Sequence, residues 1–320
     1  MQAVVYDGAL RLEANYPEPR VTPGEAVIAV RLAGVCNTDL EIARGYMNFR
    51  GVPGHEFVGE VLEAGEAGWV GARVVGEINC GCGRCPWCLG GLERHCPQRT
   101  VLGILGRDGA FAERTRLPLR NLHRVPADLS DTEAVFVEPV AACCEILEQV
   151  EVRRFEHRAV LGDGKLGLLA AQVLAAQGGA VTLIGKHAEK MALVANERIR
   201  PLPLAQVDVR PTFDLIVECS GAPEGLQLAT ELALPRGTIV LKSTTAQPPA
   251  LPASRWVIDE ITVVGSRCGR FRPALELISC GVLKLAELVS ARVPLGQALS
   301  AFERAQAPGV VKVLIDVQAK

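Results

Sequence analysis

Cys82, Cys85, Cys88 and Cys96 lie with two, two and seven residues between them, and no other feature of the chain restricts its local fold as tightly. Four thiolates so placed can close around one Zn²⁺ at about 2.3 Å each. The surrounding loop has little hydrophobic content, so a metal there would replace the missing core. With all four positions taken by sulfur, nothing is open to a substrate, and the site reads as structural. A redox C-x₂-C pair or an incidental cysteine-rich loop is the competing reading. Cys80 is left over. The other six cysteines, Cys36, Cys143, Cys144, Cys219, Cys268 and Cys280, are scattered, which suits small buried hydrophobes better than a disulfide framework.

A second constraint begins at residue 158. Arg158-Ala159-Val160-Leu161 reads as a strand running into Gly162-Asp163-Gly164-Lys165-Leu166-Gly167, and Leu168–Gln177 reads as a helix. Strands at Ala180–Ile184, Phe213–Val217 and Thr238–Leu241 follow, and their alternation with helices implies a parallel sheet with covered faces. A lone G-x-G-x-x-G is weak evidence, but between a strand and a helix it has the context that dinucleotide binding requires. Gly162 permits the tight turn, Gly164 lets a pyrophosphate approach the backbone, and Gly167 lets helix and strand pack closely. The helix N-terminus then offers its N–H groups to the phosphates. An NAD-binding unit usually places Asp or Glu at the end of the next strand. Here Leu183-Ile184 leads into Gly185-Lys186-His187, with no acid. Gly185 leaves room, Lys186 can pair with a 2′-phosphate and His187 can add to it, so NADP(H) is expected over NAD(H). The alternative is a solvent-directed Lys186 and NAD bound without its carboxylate.

The N-terminal third is different in texture. Ala3–Tyr6, Glu25–Leu32, Phe57–Leu62 and Ala72–Ile78 read as short strands separated by proline and glycine, which suggests a small antiparallel barrel or sandwich with chemistry in its loops. Two of those loops carry Cys36-Asn37-Thr38-Asp39 and Gly54-His55-Glu56, and Glu138 waits downstream. One sulfur, one nitrogen and one carboxylate (Cys36, His55 and Glu138) would leave a tetrahedral Zn²⁺ with an open position, which distinguishes a catalytic site from a structural one. Thr38 could pass a proton. Taken alone, a buried cysteine beside a core histidine reads equally well. Tyr46, Met47, Phe49 and Arg50, between the first two candidate ligands, are candidates to line a pocket.

Composition narrows the function. At 320 residues, 49% hydrophobic and 22% charged, the chain can hold two domains with substantial cores. Aromatics at 4% and a net charge of −2 give no stacking surface and no basic footprint for nucleic acid. Met1–Asp7 lacks signal-peptide character, and no apolar run approaches the roughly 20 residues a membrane span needs. The cytoplasm is the expected compartment.

With these residues in place, the chain resembles the zinc-dependent medium-chain alcohol dehydrogenase family, in its polyol- or sorbitol-dehydrogenase-like branch. The motifs are Gly34–Leu40, Gly54–Val61, the four-cysteine lobe, Glu138-Pro139, the glycine turn and Gly309–Val313. The resemblance implies an α/β protein: a GroES-like β-rich catalytic domain over 1–143 with a structural-zinc lobe at 80–96, a Rossmann doubly wound cofactor domain over 144–267, and a return to the first domain over 268–320. It implies a homodimer or homotetramer acting on a small-molecule alcohol or carbonyl. Cys36, His55 and Glu138 then match the catalytic-zinc ligands, and Glu56 the acid that can exchange into the metal's shell. Thr38 matches the hydroxyl on the substrate oxygen, Lys312 a base that reaches the cofactor phosphates, and Ser220 a point where the chain passes the cofactor. Cys143 and Cys144 compete with Glu138 as third ligand. Where many relatives have a proton-relaying histidine this chain has Glu41, and its proline-rich stretch between Glu197 and Phe213 is expected to trim the edge of the sheet. A zinc-independent quinone or enone reductase and a non-catalytic NADP(H) sensor are the competing functions.

Overall fold

The computed structural model describes residues 1–244 and 251–319. The chain forms two compact units, one of Met1–Glu138, Phe271–Ser279 and Val289–Lys320, the other of Pro139–Arg270 and Cys280–Leu288.

The first unit is built on one long strand, Glu25–Val35. Its run of β-branched and small residues suits a buried pleated surface, and Ala26, Ile28, Val30 and Ala33 are all buried. It pairs antiparallel with Glu56–Ala64, Arg114–Pro118 and Lys312–Asp316. The resulting seven-stranded sheet runs from Leu122–Arg124 through Arg73–Gly76 at one side to Val289–Pro294 at the other. The register sets Gly34 opposite Glu56 on one neighbour and opposite Leu314 on the other. Only glycine fits there: a Cβ would lie 2.4 Å from Glu56 Oε2 and 3.0 Å from Lys312 Cε. The strand outruns its expected end by three residues, from Leu32 to Val35, because the pairing with Lys312–Asp316 extends it.

The second unit holds a six-stranded parallel sheet in the order Ile199–Pro203, Val181–Gly185, Arg158–Leu161, Phe213–Glu218, Ala233–Leu241, Thr262–Gly265. The order reverses beside Arg158–Leu161, and the crevice at such a switch point is where doubly wound sheets take their ligands. Leu161, Ile184, Ile216, Leu226 and Leu232 pack together over the sheet. The helix after the first strand runs Lys165–Ala176, three residues earlier than its apolar pattern indicates, because Gly164 is its N-cap. The proline-rich stretch does keep its strand. Pro201 and Pro203 sit in Ile199–Pro203 at the sheet edge, where a missing N–H costs no ladder bond. What is short is the crossover that follows, a single 3₁₀ turn at Leu204–Gln206. Among the described residues, no helix is long and apolar enough to cross a membrane.

Candidate active site

Cys36 follows the long strand directly and caps the helix Asn37–Ile42. Asp39, in the first turn of that helix, is completely buried. Its Oδ2 accepts the Cys36 N–H at 2.8 Å, its Oδ1 accepts the Gly54 N–H at 3.2 Å, and Oδ1 lies 3.2 Å from His55 Nδ1. One carboxylate therefore fixes the loop that carries the thiol and the loop that carries the imidazole. With Nδ1 turned to Asp39, Nε2 is the nitrogen left for a metal. Burial opposes charge on His55, but Asp39 and then Cys36 outweigh it and hold the ring well above its usual pKa of 6.5. Asp39 went unassigned in the sequence. Its signal was an acid three residues after a helix-capping position, a pattern most helix starts share.

Ligand atoms of Cys36, His55 and Glu56 lie within 4.8 Å of one another. A soft sulfur, an imidazole nitrogen and a carboxylate oxygen, two of them on buried residues, fit Zn²⁺. Glu138 is outside that triad among the described residues; it sits in the first turn of the helix Val137–Gln149. Lys312, which the resemblance carries to the cofactor phosphates, is buried here with its Nζ donating to Glu56 Oε2. The ammonium also lies 5.5 Å from the centre of the Phe136 ring, a cation–π distance. Thr38 is half-buried, its Oγ1 4.0 Å from Cys36 Sγ. Glu41 is exposed and ion-paired with Arg44 at 2.7 Å. Of the four residues expected to line a pocket, Phe49 instead packs into a cluster with Tyr6 and Ile42, while Tyr46 and Met47 are each 47% exposed.

The second cluster is Cys82, Cys85, Cys88 and Cys96. Their Sγ atoms are 4.0 Å apart for Cys82–Cys88, 3.6 Å for Cys85–Cys88 and 3.7 Å for Cys85–Cys96. A tetrahedron with Zn–S bonds of about 2.3 Å has edges of roughly 3.8 Å, so the four sulfurs are spaced for that ion. Gly81 lets the loop close, since a Cβ there would come 2.8 Å from Cys88 Sγ. The backbone N–H groups of Arg84 and Cys85 bring the Cys82 thiol down to about 6, against its desolvation, whereas burial raises Cys88 to about 11. A bound cation would bring such a mixed set to thiolate together. Cys80 stands apart from the four, its thiol raised to about 11 by burial.

In the second unit the glycine turn is drawn tight. Gly162 has φ +122°, and a Cβ on it would lie 2.7 Å from the Cys219 carbonyl carbon and 2.8 Å from the Ser220 nitrogen. This brings Ser220 beside the turn. A Cβ on Gly167 would strike the Gly162 carbonyl oxygen at 2.0 Å. Gly164 is the opposite case: a Cβ there would meet nothing within 4 Å, and as N-cap it brings no side chain to the helix that opens at Lys165 and Leu166. That open cradle fits a pyrophosphate. The strand end at Gly185 is not open, however. A Cβ there would lie 2.5 Å from both Cβ and Oδ2 of Asp163. The His187 N–H donates to Asp163 Oδ2 at 2.5 Å, and His187 Nδ1 lies 3.1 Å from the same oxygen. Lys186 is exposed. Cys143 and Cys144 are both buried; Cys143 Sγ lies 3.7 Å from the Leu166 carbonyl, and burial pushes the Cys144 thiol to about 12.

Two outcomes are expected from this geometry. Asp39→Asn keeps the shape but not the charge, and should weaken zinc at Cys36 and His55 by about 10–100-fold, read by chelator competition; an unchanged affinity would sink the role given to Asp39. Lys312→Met leaves Glu56 buried without its partner. Urea denaturation of the metal-stripped variant should show a loss of roughly 3–5 kcal/mol, and a loss below about 1 kcal/mol would mean the pair is solvated.

Comparisons with known proteins agree with this architecture. The alcohol dehydrogenase GroES-like domain model matches residues 22–127. The chain is 30% identical to sorbitol dehydrogenase of Halalkalibacterium halodurans over 93% of each chain. Two crystal structures superpose over nearly the whole molecule. One is a zinc-binding dehydrogenase from Sinorhizobium meliloti bound to NADP, with TM-score 0.89 and 28% identity over 98% of each chain. The other is the Escherichia coli alcohol dehydrogenase RspB complexed with NADH, with TM-score 0.89 and 26% identity over 99% of each chain. On this similarity, with the fold and the clustered ligand residues, the chain is an oxidoreductase that belongs to the zinc-type medium-chain alcohol dehydrogenase family.

Proposed function

We propose that this protein interconverts a small alcohol, of the polyol or sugar class, and its carbonyl, with NADP(H) favoured over NAD(H). The observation that carries the proposal is the gathering of Cys36, His55 and Glu56 within 4.8 Å of one another with Thr38 alongside. Cys36 and His55 would hold a catalytic Zn²⁺ with Glu138 as third ligand, and Glu56 is the acid available for exchange. Cys82, Cys85, Cys88 and Cys96 would hold a structural one. When bound, the metal supplies Lewis-acid polarisation of the substrate oxygen, and the nicotinamide takes or gives the hydride.

The chain's own residues do the rest. Thr38 Oγ1 accepts the proton of the substrate hydroxyl during oxidation and returns it during reduction. Its half-buried position gives the hydroxyl a way to hand that proton outward, while Glu41 remains engaged with Arg44 on the surface. Cys36 and Glu138 together would bring two negative charges to a divalent ion. Lys312 neutralises Glu56 in the meantime, so the third carboxylate does not burden the site with excess charge. For the nucleotide, Gly162, Gly164 and Gly167 would shape the pyrophosphate cradle with Ser220 at its border, and Lys186 would pair with a 2′-phosphate, with His187 next to it. The resemblance to polyol-active relatives, sorbitol dehydrogenase among them, supports the substrate class.

Elemental analysis and a substrate screen test this reading. The loaded wild type should carry two zinc ions per chain and turn over members of a panel of alcohols, polyols and sugars. Cys36→Ser, His55→Ala and Glu138→Ala should each weaken one zinc and abolish most turnover with the fold intact. Cys85→Ser should remove the other zinc and lower Tm. One zinc in the wild type, or full activity in Glu138→Ala, would require the ligands to be reassigned. For the cofactor, Lys186→Ala should weaken NADPH binding about tenfold, the worth of one charge-assisted contact. Equal NADPH binding by wild type and variant would place Lys186 in solvent.

A further inference from the structure

We infer that Asp163 determines nucleotide specificity: its carboxylate, delivered from the glycine turn, takes the place of the missing strand-end acid and works against a 2′-phosphate. The inference rests on the nucleotide reading of that turn. In a βαβ unit the acid that binds the ribose hydroxyls comes from the end of the second strand, here Val181–Gly185. That strand ends in glycine, yet its end does not lack a carboxylate. Asp163 lies after the first strand, and its side chain crosses to the second. Its Cβ and Oδ2 both stand 2.5 Å from where a Cβ on Gly185 would be, and Oδ2 accepts the His187 N–H at 2.5 Å.

Two consequences follow from the packing. Gly185 is glycine because Asp163 occupies the space, so a side-chain acid on the strand itself is sterically excluded. One negative charge is nevertheless fixed at the strand end, 8% exposed and held by a backbone N–H. The charged groups facing it are few. His187 Nδ1 lies 3.2 and 3.1 Å from its two oxygens, and Lys186 is exposed at the adjoining position. A 2′-phosphate arriving here meets Lys186, which favours it, and Asp163, which repels it; a ribose hydroxyl meets an acceptor. The turn therefore contains opposing elements, and the preference for NADP(H) that Lys186 creates is held in check.

Fluorescence titration of the zinc-loaded enzyme with NADPH and with NADH, in the absence of substrate, tests this. The wild type should favour NADPH by less than about tenfold, and Asp163→Asn, which keeps an acceptor for the His187 N–H, should tighten NADPH about tenfold while leaving NADH within about twofold. Asp163→Ser removes the charge differently and serves if the asparagine variant does not fold. The ratio of the two dissociation constants is the readout, since a purely structural role would weaken both nucleotides together. An unchanged ratio in the variants overturns the inference, as does a wild-type preference for NADPH beyond about a hundredfold. Lys186→Ala separates the two readings. If it leaves NADPH binding unchanged while Asp163→Asn shifts the ratio, Lys186 fails and Asp163 stands. If it weakens NADPH while the Asp163 variants leave the ratio alone, Asp163 fails by itself. A wild type that binds neither nucleotide removes both.

Discussion

A carboxylate with no access to water organises the candidate centre. Asp39 is wholly buried, and a buried charge persists only when its lone pairs are taken up. The Cys36 and Gly54 N–H groups donate to it, and the His55 ring lies 3.2 Å from Oδ1 through Nδ1. Satisfying one acid thus brings the loop at Cys36 and the loop at Gly54 to a common point. The direction of the metal-binding groups follows. The Cys36 backbone is bonded to that carboxylate and the imidazole lies against it, so neither group would have to be ordered by an ion. The protein contributes preorganisation, and a metal bound there would be left to contribute charge.

The two clusters of candidate metal ligands differ in what holds their side chains in place. In the cysteine lobe the sulfurs are spaced like the edges of a tetrahedron, and a metal there would tie together a loop with little hydrophobic content. At Cys36 and His55 a seven-stranded sheet does the holding. Gly34, Glu56 and Lys312 sit on three adjacent strands of that sheet. An ion there would meet a scaffold already in place, which is the condition for leaving one of its positions to a substrate.

Much of this was legible in the sequence, and the reasons are specific. Cys82, Cys85, Cys88 and Cys96 are legible because short loops convert spacing directly into geometry. The parallel sheet is legible because strands and helices alternate with different periods. The contacts that escaped are those between residues whose nearness depends on register or on a turn. Lys312 and Glu56 are neighbours only because the last strand aligns beside the long one. Phe49 looked like a pocket residue, since nothing in its neighbours tells whether a loop aromatic points outward or, as here, into the core. Gly185 is the sharpest case. Its smallness was read as space for a ligand, whereas the space belongs to Asp163, a residue that the G-x-G-x-x-G pattern treats as arbitrary.

The pairing of Glu56 with Lys312 also has a consequence for how the chain is made. The strand Lys312–Asp316 lies between Glu25–Val35 and the edge strand Val289–Pro294 of the first unit's sheet. During synthesis the residues of the second unit, Pro139–Arg270, emerge and can form their parallel sheet before that strand exists. Until it arrives the long strand has one unpaired edge at its C-terminal half, and Glu56 has no counter-ion to bury with. The first unit to be translated is therefore the last to be completed, and the nascent chain carries an open sheet edge across the whole interval. Exposed edges of this kind are what chaperones bind and what aggregation starts from. The place of the strand Lys312–Asp316 in the sequence thus decides when the open edge of the long strand is covered.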